Sequence, residues 1–108
     1  MPRRIAPDAL AVAVGKRVRE LRQEEGLTLE QLANTSEIGS KGHVSNIERG
    51  LVRPNIYTLK RLADALRVLP LDLLTFPHKT VRERLVDLTR KLSAKQIGEM
   101  LRRWLRHD

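Results

Sequence analysis

The side chains best suited to chemical recognition lie in one short segment of the chain, residues 40–49. Placed on a helix at about 100° per residue, its members separate into two sides, with Val44 and Ile47 on the apolar one. The polar side carries Lys41, Gly42, Ser45, Asn46 and Arg49. Lysine donates to guanine O6 and N7, asparagine pairs bidentately with adenine, and serine bonds either kind of base edge. The segment therefore predicts a helix that packs by one side and contacts duplex DNA with the other.

Several of these residues also have a purely structural interpretation, which the sequence leaves open. Lys41 could be an ordinary solvated lysine, and Gly42 would either allow close approach to the duplex or mark a late start of the helix. Ser40 is the expected N-cap, and the free amides at such a helix N-terminus attract phosphate. His43 lies at the edge of the apolar side, where packing or phosphate contact suits it better than base reading.

Charged residues near the segment need partners of opposite charge. Glu48 is acidic on a helix expected to face a polyanion, and the helical wheel puts it at the border of the core. We expect Arg22, near the end of the preceding amphipathic stretch, to neutralise it; the alternative is a solvated glutamate. Arg53 lies in an extended loop and is expected to reach phosphate or the minor groove, with Arg3 and Arg4 as a basic arm of similar effect.

Composition and charge agree with a polyanionic partner. The 108 residues include 21 Lys and Arg against 13 Asp and Glu, which leaves a formal charge of +8. Such a surplus favours nucleic acid first and an anionic membrane surface second. The basic residues flank apolar stripes on several predicted helices, without an exposed Trp/Phe-rich face, and this argues against the membrane surface.

Other classes of function lack their characteristic residues. The absence of cysteine excludes disulfides, thiol nucleophiles and thiolate metal sites, and it fits a reducing cytoplasm. The three histidines are distant in sequence and no carboxylate cluster accompanies them, so no metal or other cofactor is expected. No glycine-rich phosphate loop follows a strand, and an enzyme is not expected. The chain shows neither a signal peptide nor a membrane-spanning stretch, which predicts a cytoplasmic protein.

The elements that must position the segment are helices throughout. The first apolar stripe comprises Leu10, Val14, Val18 and Leu21, at helical spacing. Asp8 suits the first turn of this helix, and Gly26 is expected to end it as a left-handed cap. Thr28 and Gln31 match a capping box that begins a second helix. Residues 34–37 prefer turns to helix interiors, so we expect them to end it.

Further helices are predicted downstream of the segment. Asn55 is expected to cap the fourth, and Pro70 begins a short fifth. Beyond a boundary at residues 75–78, two amphipathic segments are separated by a second capping box, Ser93 with Gln96. Their apolar stripes are Val81, Leu85, Leu88 and Leu92 in one, and Ile97, Leu101, Trp104 and Leu105 in the other. No segment alternates with a period of two, so we predict an all-α fold of six or seven helices.

Three groups of residues together resemble a known family. They are Gly26-Leu27-Thr28 with Leu32-Ala33, then the run from Val44 to Gly50 with Pro54, and Thr58-Leu59 with the run from Leu62 to Leu66. Over residues 10–74 this combination resembles the lambda-repressor-like helix-turn-helix regulators, which include phage repressors, Cro proteins and xenobiotic-response-element regulators. The resemblance implies a five-helix DNA-binding domain whose third helix enters the major groove, commonly as a dimer on a palindromic operator.

The resemblance also implies roles for individual residues. Base reading falls on Lys41, Gly42 and Asn46, and phosphate contact falls near Thr28, Leu29, His43 and the Arg53 loop. A structural ion pair is implied between Arg22 and Glu48, in agreement with the helical wheel. The sequence departs from the family in two places. The turn at residues 36–40 is one residue longer than the usual pattern, and Leu29 stands where phage repressors often carry glutamine.

We therefore expect a helix-turn-helix domain over residues 8–76 and a helical extension over residues 78–108. The extension can mediate dimerisation, pack against the core of the domain or enlarge the basic surface, and we favour dimerisation. The expected function is sequence-specific binding of double-stranded DNA by a transcriptional regulator, most simply a repressor acting as a homodimer. The alternative is an antitoxin-type module that binds a partner protein and represses their shared operon.

Overall fold

The computed structural model describes residues 8–106, and this part of the chain is all-α, which confirms the predicted fold class. The chain divides between Leu74 and Thr75 into two compact units. Within residues 8–106 the first unit contains five helices and the second contains two. In chain order they are α1 (Ala9–Glu24), α2 (Leu29–Ser36), α3 (Lys41–Glu48), α4 (Ile56–Leu66), α5 (Pro70–Leu73), α6 (Val81–Thr89) and α7 (Ala94–Leu105).

Local capping signals determine where α1 and α2 begin. Asp8 is the N-cap of α1, where its carboxylate accepts from the amides of Leu10 and Ala11; its predicted position inside the first turn was therefore wrong by one residue. Thr28 and Gln31 form the predicted capping box. The Gln31 amide donates to Thr28 Oγ1 at 3.1 Å, and the Thr28 amide donates to Gln31 Oε1 at 2.8 Å.

Helix α2 runs further than the sequence predicts. Asn34, Thr35 and Ser36 are helical, and the helix ends only at Glu37, whose φ of 58° is left-handed. The buried Ser36 hydroxyl donates to the Leu32 carbonyl at 2.6 Å, which satisfies it inside the helix. A polar run that favours turns is thus accommodated as helix because its hydroxyl finds a partner one turn back.

The core of the first unit is aliphatic, in a chain that has only one Phe, one Tyr and one Trp. Each helix turns its apolar stripe toward the same interior. The largest of the fully buried side chains are Leu21, Leu32, Ile47, Leu62, Leu66, Leu73, Val18 and Val44. Helix α3 packs against α1 and α2, which supply Val18, Leu21 and Leu32 to this core.

Two charged residues, Arg17 and Asp72, are buried in this core and join α1 to α5. Arg17 is only 4% exposed, and its Nε donates to the Asp72 carbonyl oxygen at 2.9 Å. The Asp72 carboxylate in turn accepts from the Leu69 amide at 2.8 Å, across the first turn of α5. Buried polar groups are stable only when they are hydrogen-bonded, and here each of them has a partner.

The second unit is built differently, because neither α6 nor α7 has a buried residue. Thr80 caps α6, and Ser93 forms the predicted capping box with Gln96 at the start of α7. Leu92 lies beyond the end of α6, so the predicted stripe of that helix is shorter by one residue. No helix within residues 8–106 is long and apolar enough to span a membrane.

Candidate nucleic-acid interface

Helices α2 and α3 are joined by a four-residue turn, residues 37–40, whose backbone is left-handed at both Glu37 and Gly39. The backbone φ of Gly39 is 124°, a conformation that residues with a side chain rarely adopt. Ser40 then caps α3, with its hydroxyl oxygen accepting from the His43 amide at 3.3 Å. The turn therefore ends at a defined helix N-terminus, whose first two residues, Lys41 and Gly42, are exposed.

The two sides of α3 differ in burial. Val44 and Ile47 are 0% and 1% exposed, which anchors the helix to the core. Of the polar residues predicted to face outward, Lys41, Gly42 and Arg49 are exposed, whereas Ser45 and Asn46 are half-buried. His43 is half-buried as well, in accordance with its position at the edge of the apolar side.

Gly42 lies inside the helix, since α3 begins one residue earlier at Lys41. The interpretation of this glycine as a late helix start is therefore wrong. A side-chain carbon added at Gly42 would meet only Ser40 Oγ, at 3.6 Å, so the protein's own packing does not require glycine there. Close approach of a ligand remains as the predicted reason for glycine at this position.

A largely buried ion pair holds the C-terminal end of α3. Arg22 Nε lies 2.6 Å from Glu48 Oε2, and Arg22 Nη2 donates to Glu48 Oε1 at 3.0 Å. The same guanidinium donates through Nη1 to the Leu27 carbonyl at 2.8 Å. The carboxylate of Glu48 is thus neutralised and turned into the protein, so it does not repel a polyanion approaching the outer side.

Arg53 is engaged in an exposed ion pair in this structure. Its Nε lies 2.6 Å from Asp8 Oδ2, with the arginine side chain 82% exposed. The pKa of the Asp8 carboxyl lies below its ordinary value, first because the Ala11 amide donates to it and also because the Arg53 guanidinium is beside it. An exposed pair of this kind is weak and can exchange for a phosphate.

Thr28 is exposed at the N-terminus of α2, and its side-chain oxygen is occupied as a cap acceptor. The hydroxyl hydrogen can still be donated, so capping and the predicted phosphate contact are compatible. Leu29 is half-buried and has no polar group to offer. The predicted basic arm of Arg3 and Arg4 lies outside the described residues. Within residues 8–106 no group of acidic residues and histidines could hold a metal ion.

Sequence reasoning missed two contacts that shape this region. Gly15 in α1 lies directly against the backbone of the last turn of α3, and Asp8 is the partner of Arg53. A glycine inside a predicted helix is unfavourable compared with alanine, so it signals a packing or functional reason. The sequence alone, however, gives no indication of which element approaches it.

Comparison with known proteins identifies the family of this chain. Residues 13–76, more than half of the chain, match a family described as a helix-turn-helix domain, and the chain belongs to that family. This confirms the expected membership among the lambda-repressor-like helix-turn-helix regulators.

Two transcriptional regulators are similar to this chain in sequence. The HTH-type transcriptional regulator DdrOP3 of Deinococcus deserti is 42% identical over 59 residues, 55% of this chain and 45% of that protein. The chain thus spans less than half the length of that relative. The HTH-type transcriptional regulator SinR of Bacillus subtilis is 30% identical over 99 residues, 82% of this chain and 88% of SinR.

Two solved structures are also similar to this chain. The restriction-modification controller protein C.AhdI from Aeromonas hydrophila has a TM-score of 0.59 and 36% identity, over 61% of this chain and 98% of C.AhdI. A chain of the SinR protein/SinI protein complex has a TM-score of 0.60 and 31% identity, over 88% of this chain and 99% of that one. The second match extends into both units of this chain.

Proposed function

We propose that this protein is a sequence-specific DNA-binding transcriptional regulator that acts as a homodimeric repressor on a palindromic operator. The observation that carries the proposal is the anchoring of α3, which we term the recognition helix. Its apolar side and its one acidic residue, Glu48, are buried, and its remaining side presents donors around an exposed Lys41. Such a regulator acts in the cytoplasm and requires neither catalysis nor a cofactor.

The residues of the interface divide into two roles. Lys41 and Asn46 would read base edges, with Gly42 allowing the backbone to approach them and Ser45 and Arg49 completing the outer side. Phosphates would be held around this contact, where they set its position without reading sequence. The residues for that task are Thr28, His43, Arg53 and the free amides that follow Ser40.

The second unit would provide the dimer contact. Its two helices bury no side chain in the single chain, although most of the stability of a helix comes from packing its apolar face. The exposed apolar residues of this unit are Val81, Leu85, Leu88, Met100, Leu101, Trp104 and Leu105. A second copy offers the same apolar face, and a dimer would place two recognition helices on successive major grooves, about 34 Å apart.

The test is selection of bound sequences from random duplexes, followed by titration of the selected operator. We expect an inverted repeat with half-sites separated by about one helical turn. Asn46→Ala should then lose discrimination at one position of each half-site, by about tenfold. Asn34→Ala is the matched control, since Asn34 is an exposed asparagine on α2. Full discrimination by the Asn46→Ala protein would contradict this assignment of the reading side.

A protein partner is the second candidate for the exposed face of α6 and α7. It is supported by the likeness, over 88% of this chain, to a chain of the SinR protein/SinI protein complex. An antitoxin-type module would use this face for its partner and the first unit for its operator. Purification from the native host distinguishes the two, because a stoichiometric small protein would accompany the chain in one case and a second copy in the other.

A further inference from the structure

Helix α1 touches the last turn of the recognition helix backbone to backbone. A side-chain carbon added at Gly15 would lie 2.3 Å from the Ile47 carbonyl oxygen and 2.6 Å from that of Glu48. Real Cβ atoms essentially never come within 3.0 Å of a heavy atom outside their own residue and its neighbours in the chain. Both obstructing atoms belong to the backbone, so they cannot rotate aside. Glycine at this position is what allows the two helices to lie so close.

A second close contact lies one turn away on the same side of α1. Gly50 follows α3 with a φ of +72°, and a carbon added to it would lie 2.7 Å from both Cα and Cγ2 of Val12. Because Val12 and Gly15 are three residues apart, they face the same way on the helix. Val12 and Gly15 thus form a contact surface on α1, which we call the seat, for the C-terminal end of α3. The Arg22–Glu48 ion pair is a further contact between the same two helices.

The seat lies at the C-terminal end of the recognition helix, next to the reading residue Asn46, and the other proposed reading residues lie at its N-terminal end. The helix has eight residues and is about 12 Å long, with Lys41 and Gly42 in its first turn. A shift forced at Ile47 and Glu48 therefore tilts or withdraws the first turn. Binding constellations need their groups within about 0.5 Å of the productive geometry, which is less than the displacement that an added methyl group requires.

We propose that Gly15 is a positioning residue for DNA recognition: its missing side chain sets the depth and tilt at which the first turn of the recognition helix meets the bases. This inference depends on the proposed DNA-binding function. Glycine is unfavourable in a helix interior compared with alanine, and the exact seating of α3 gives a reason for its presence. A purely structural glycine would affect folding stability alone, whereas a positioning glycine also changes which base pairs are preferred.

The experiment compares Gly15→Ala with Gly98→Ala in the full chain. Gly98 lies inside α7, and a carbon added there would meet only Arg102 Nη1, at 3.5 Å. Circular dichroism first establishes the temperature at which each variant is folded. Dissociation constants are then measured for the selected operator, for its single-base variants and for a duplex without an operator. We expect Gly15→Ala to lower the operator preference about tenfold, the cost of a mismatched base pair.

The other readouts should stay constant. Affinity for the duplex without an operator should change less than about twofold, because phosphate contacts carry non-specific binding. Gly98→Ala should keep the wild-type preference between the operator and its single-base variants, because a change on α7 affects all duplexes alike. A folded Gly15→Ala protein with the wild-type operator preference would overturn the inference, even if its melting temperature were lower.

A second variant covers the case in which Gly15→Ala does not fold. Val12→Ala removes the side-chain contact with Gly50 without adding any atom, and it should lower operator preference about threefold, less than a mismatched base pair costs. An unchanged preference in that variant would mean that the contact of α1 with the end of α3 does not set base preference, and this would overturn the inference. If the wild type itself shows no preference among duplexes, the proposed function fails and the inference falls with it.

Discussion

Arg22 and Glu48 join the last turn of α1 to the last turn of α3 through two hydrogen bonds, of 2.6 and 3.0 Å. Their side chains are only 12% and 6% exposed, so water has little access to the pair. Removing one member of a buried ion pair leaves the other charged, unsolvated and without a counter-charge. Loss of either partner is therefore expected to lower the free energy of unfolding by more than the loss of an exposed ion pair does.

The first prediction is that Arg22→Ala lowers the free energy of unfolding by about 3 kcal/mol. Glu48→Gln should cost about 1–2 kcal/mol, because the amide keeps one hydrogen bond to the guanidinium. Urea denaturation measures both. The control is Lys60→Ala, which breaks an exposed pair with Asp64 and should cost less than about 0.5 kcal/mol. Equal costs for Arg22→Ala and Lys60→Ala would contradict the importance of the buried pair.

The second prediction separates the two roles of Thr28. Thr28→Ala removes the cap of α2 and should cost about 1 kcal/mol of stability. Thr28→Asp preserves the cap, since aspartate is an equally good N-cap, but it places a negative charge where phosphate is expected. This variant should melt like the wild type and bind operator more weakly. Thermal denaturation and DNA titration provide the two readouts, and wild-type DNA affinity in Thr28→Asp would exclude the phosphate contact.

The third prediction concerns acid sensitivity at Asp8, whose pKa is lowered first by the Ala11 amide and then by Arg53. A carboxyl with a depressed pKa in the folded state stabilises the fold above its ordinary value of 3.8. That contribution is lost as the pH falls from 3.8 through the lower, folded value. Asp8→Asn keeps the cap but should flatten the acid limb of the stability curve.

Carboxyl-carbon NMR measures this titration directly. The midpoint for Asp8 should lie below 3.8 in the wild type and move upward in Arg53→Ala, because the nearby positive charge is gone. The shift should be partial, since the Ala11 amide continues to donate. An Asp8 midpoint at or above 3.8 in the wild type would contradict the contacts described for this carboxylate.

Local signals explain why much of this fold could be predicted from the sequence. The capping boxes of Thr28 with Gln31 and of Ser93 with Gln96 depend on residues three apart, so no tertiary information is needed. The burial of Val44 and Ile47 follows from helical periodicity in the same way. Where a structural feature depends on neighbours along one helix, the sequence contains most of what determines it.

Features that depend on contact between helices were harder to predict. The extension of α2 to Ser36 depends on burial of a hydroxyl, and local propensity favoured a turn there. The helical wheel put Glu48 at the border of the core, but its two-bond geometry with Arg22 requires the packing of α1 on α3. The contact of Gly15 with the Ile47 carbonyl has no local signature beyond a glycine in a helix. DNA contact by the outward residues stays a prediction.

The fourth prediction uses the salt dependence of operator binding. Each phosphate contact neutralised by a basic residue contributes about −0.9 to the slope of log affinity against log salt. With about six contacts per subunit, the slope should lie near −5 per subunit. Arg53→Ala should reduce it by about one, whereas Arg61→Ala, an exposed arginine on α4, should leave it unchanged. Equal slopes in the wild type and Arg53→Ala would remove Arg53 from the interface.

The fifth prediction tests the proposed dimer contact through the single tryptophan of the chain. Trp104 is 78% exposed in α7, so its emission in an isolated chain should be that of a hydrated indole. If α7 packs against a second copy, the emission should shift to the blue as the protein concentration rises, in step with the mass measured by sedimentation. Aromatic side chains bury large areas at interfaces, so Trp104→Ala should raise the dimer dissociation constant at least tenfold.

Arg102→Ala is the matched control for that substitution. On a helical wheel Arg102 lies away from the stripe of Leu101, Trp104 and Leu105, so its removal should leave dimerisation within about twofold of the wild type. A hydrated tryptophan spectrum at concentrations where sedimentation finds a dimer would mean that the two copies meet elsewhere. The apolar face of α7 would then be open to a different protein, and the second candidate function would be favoured.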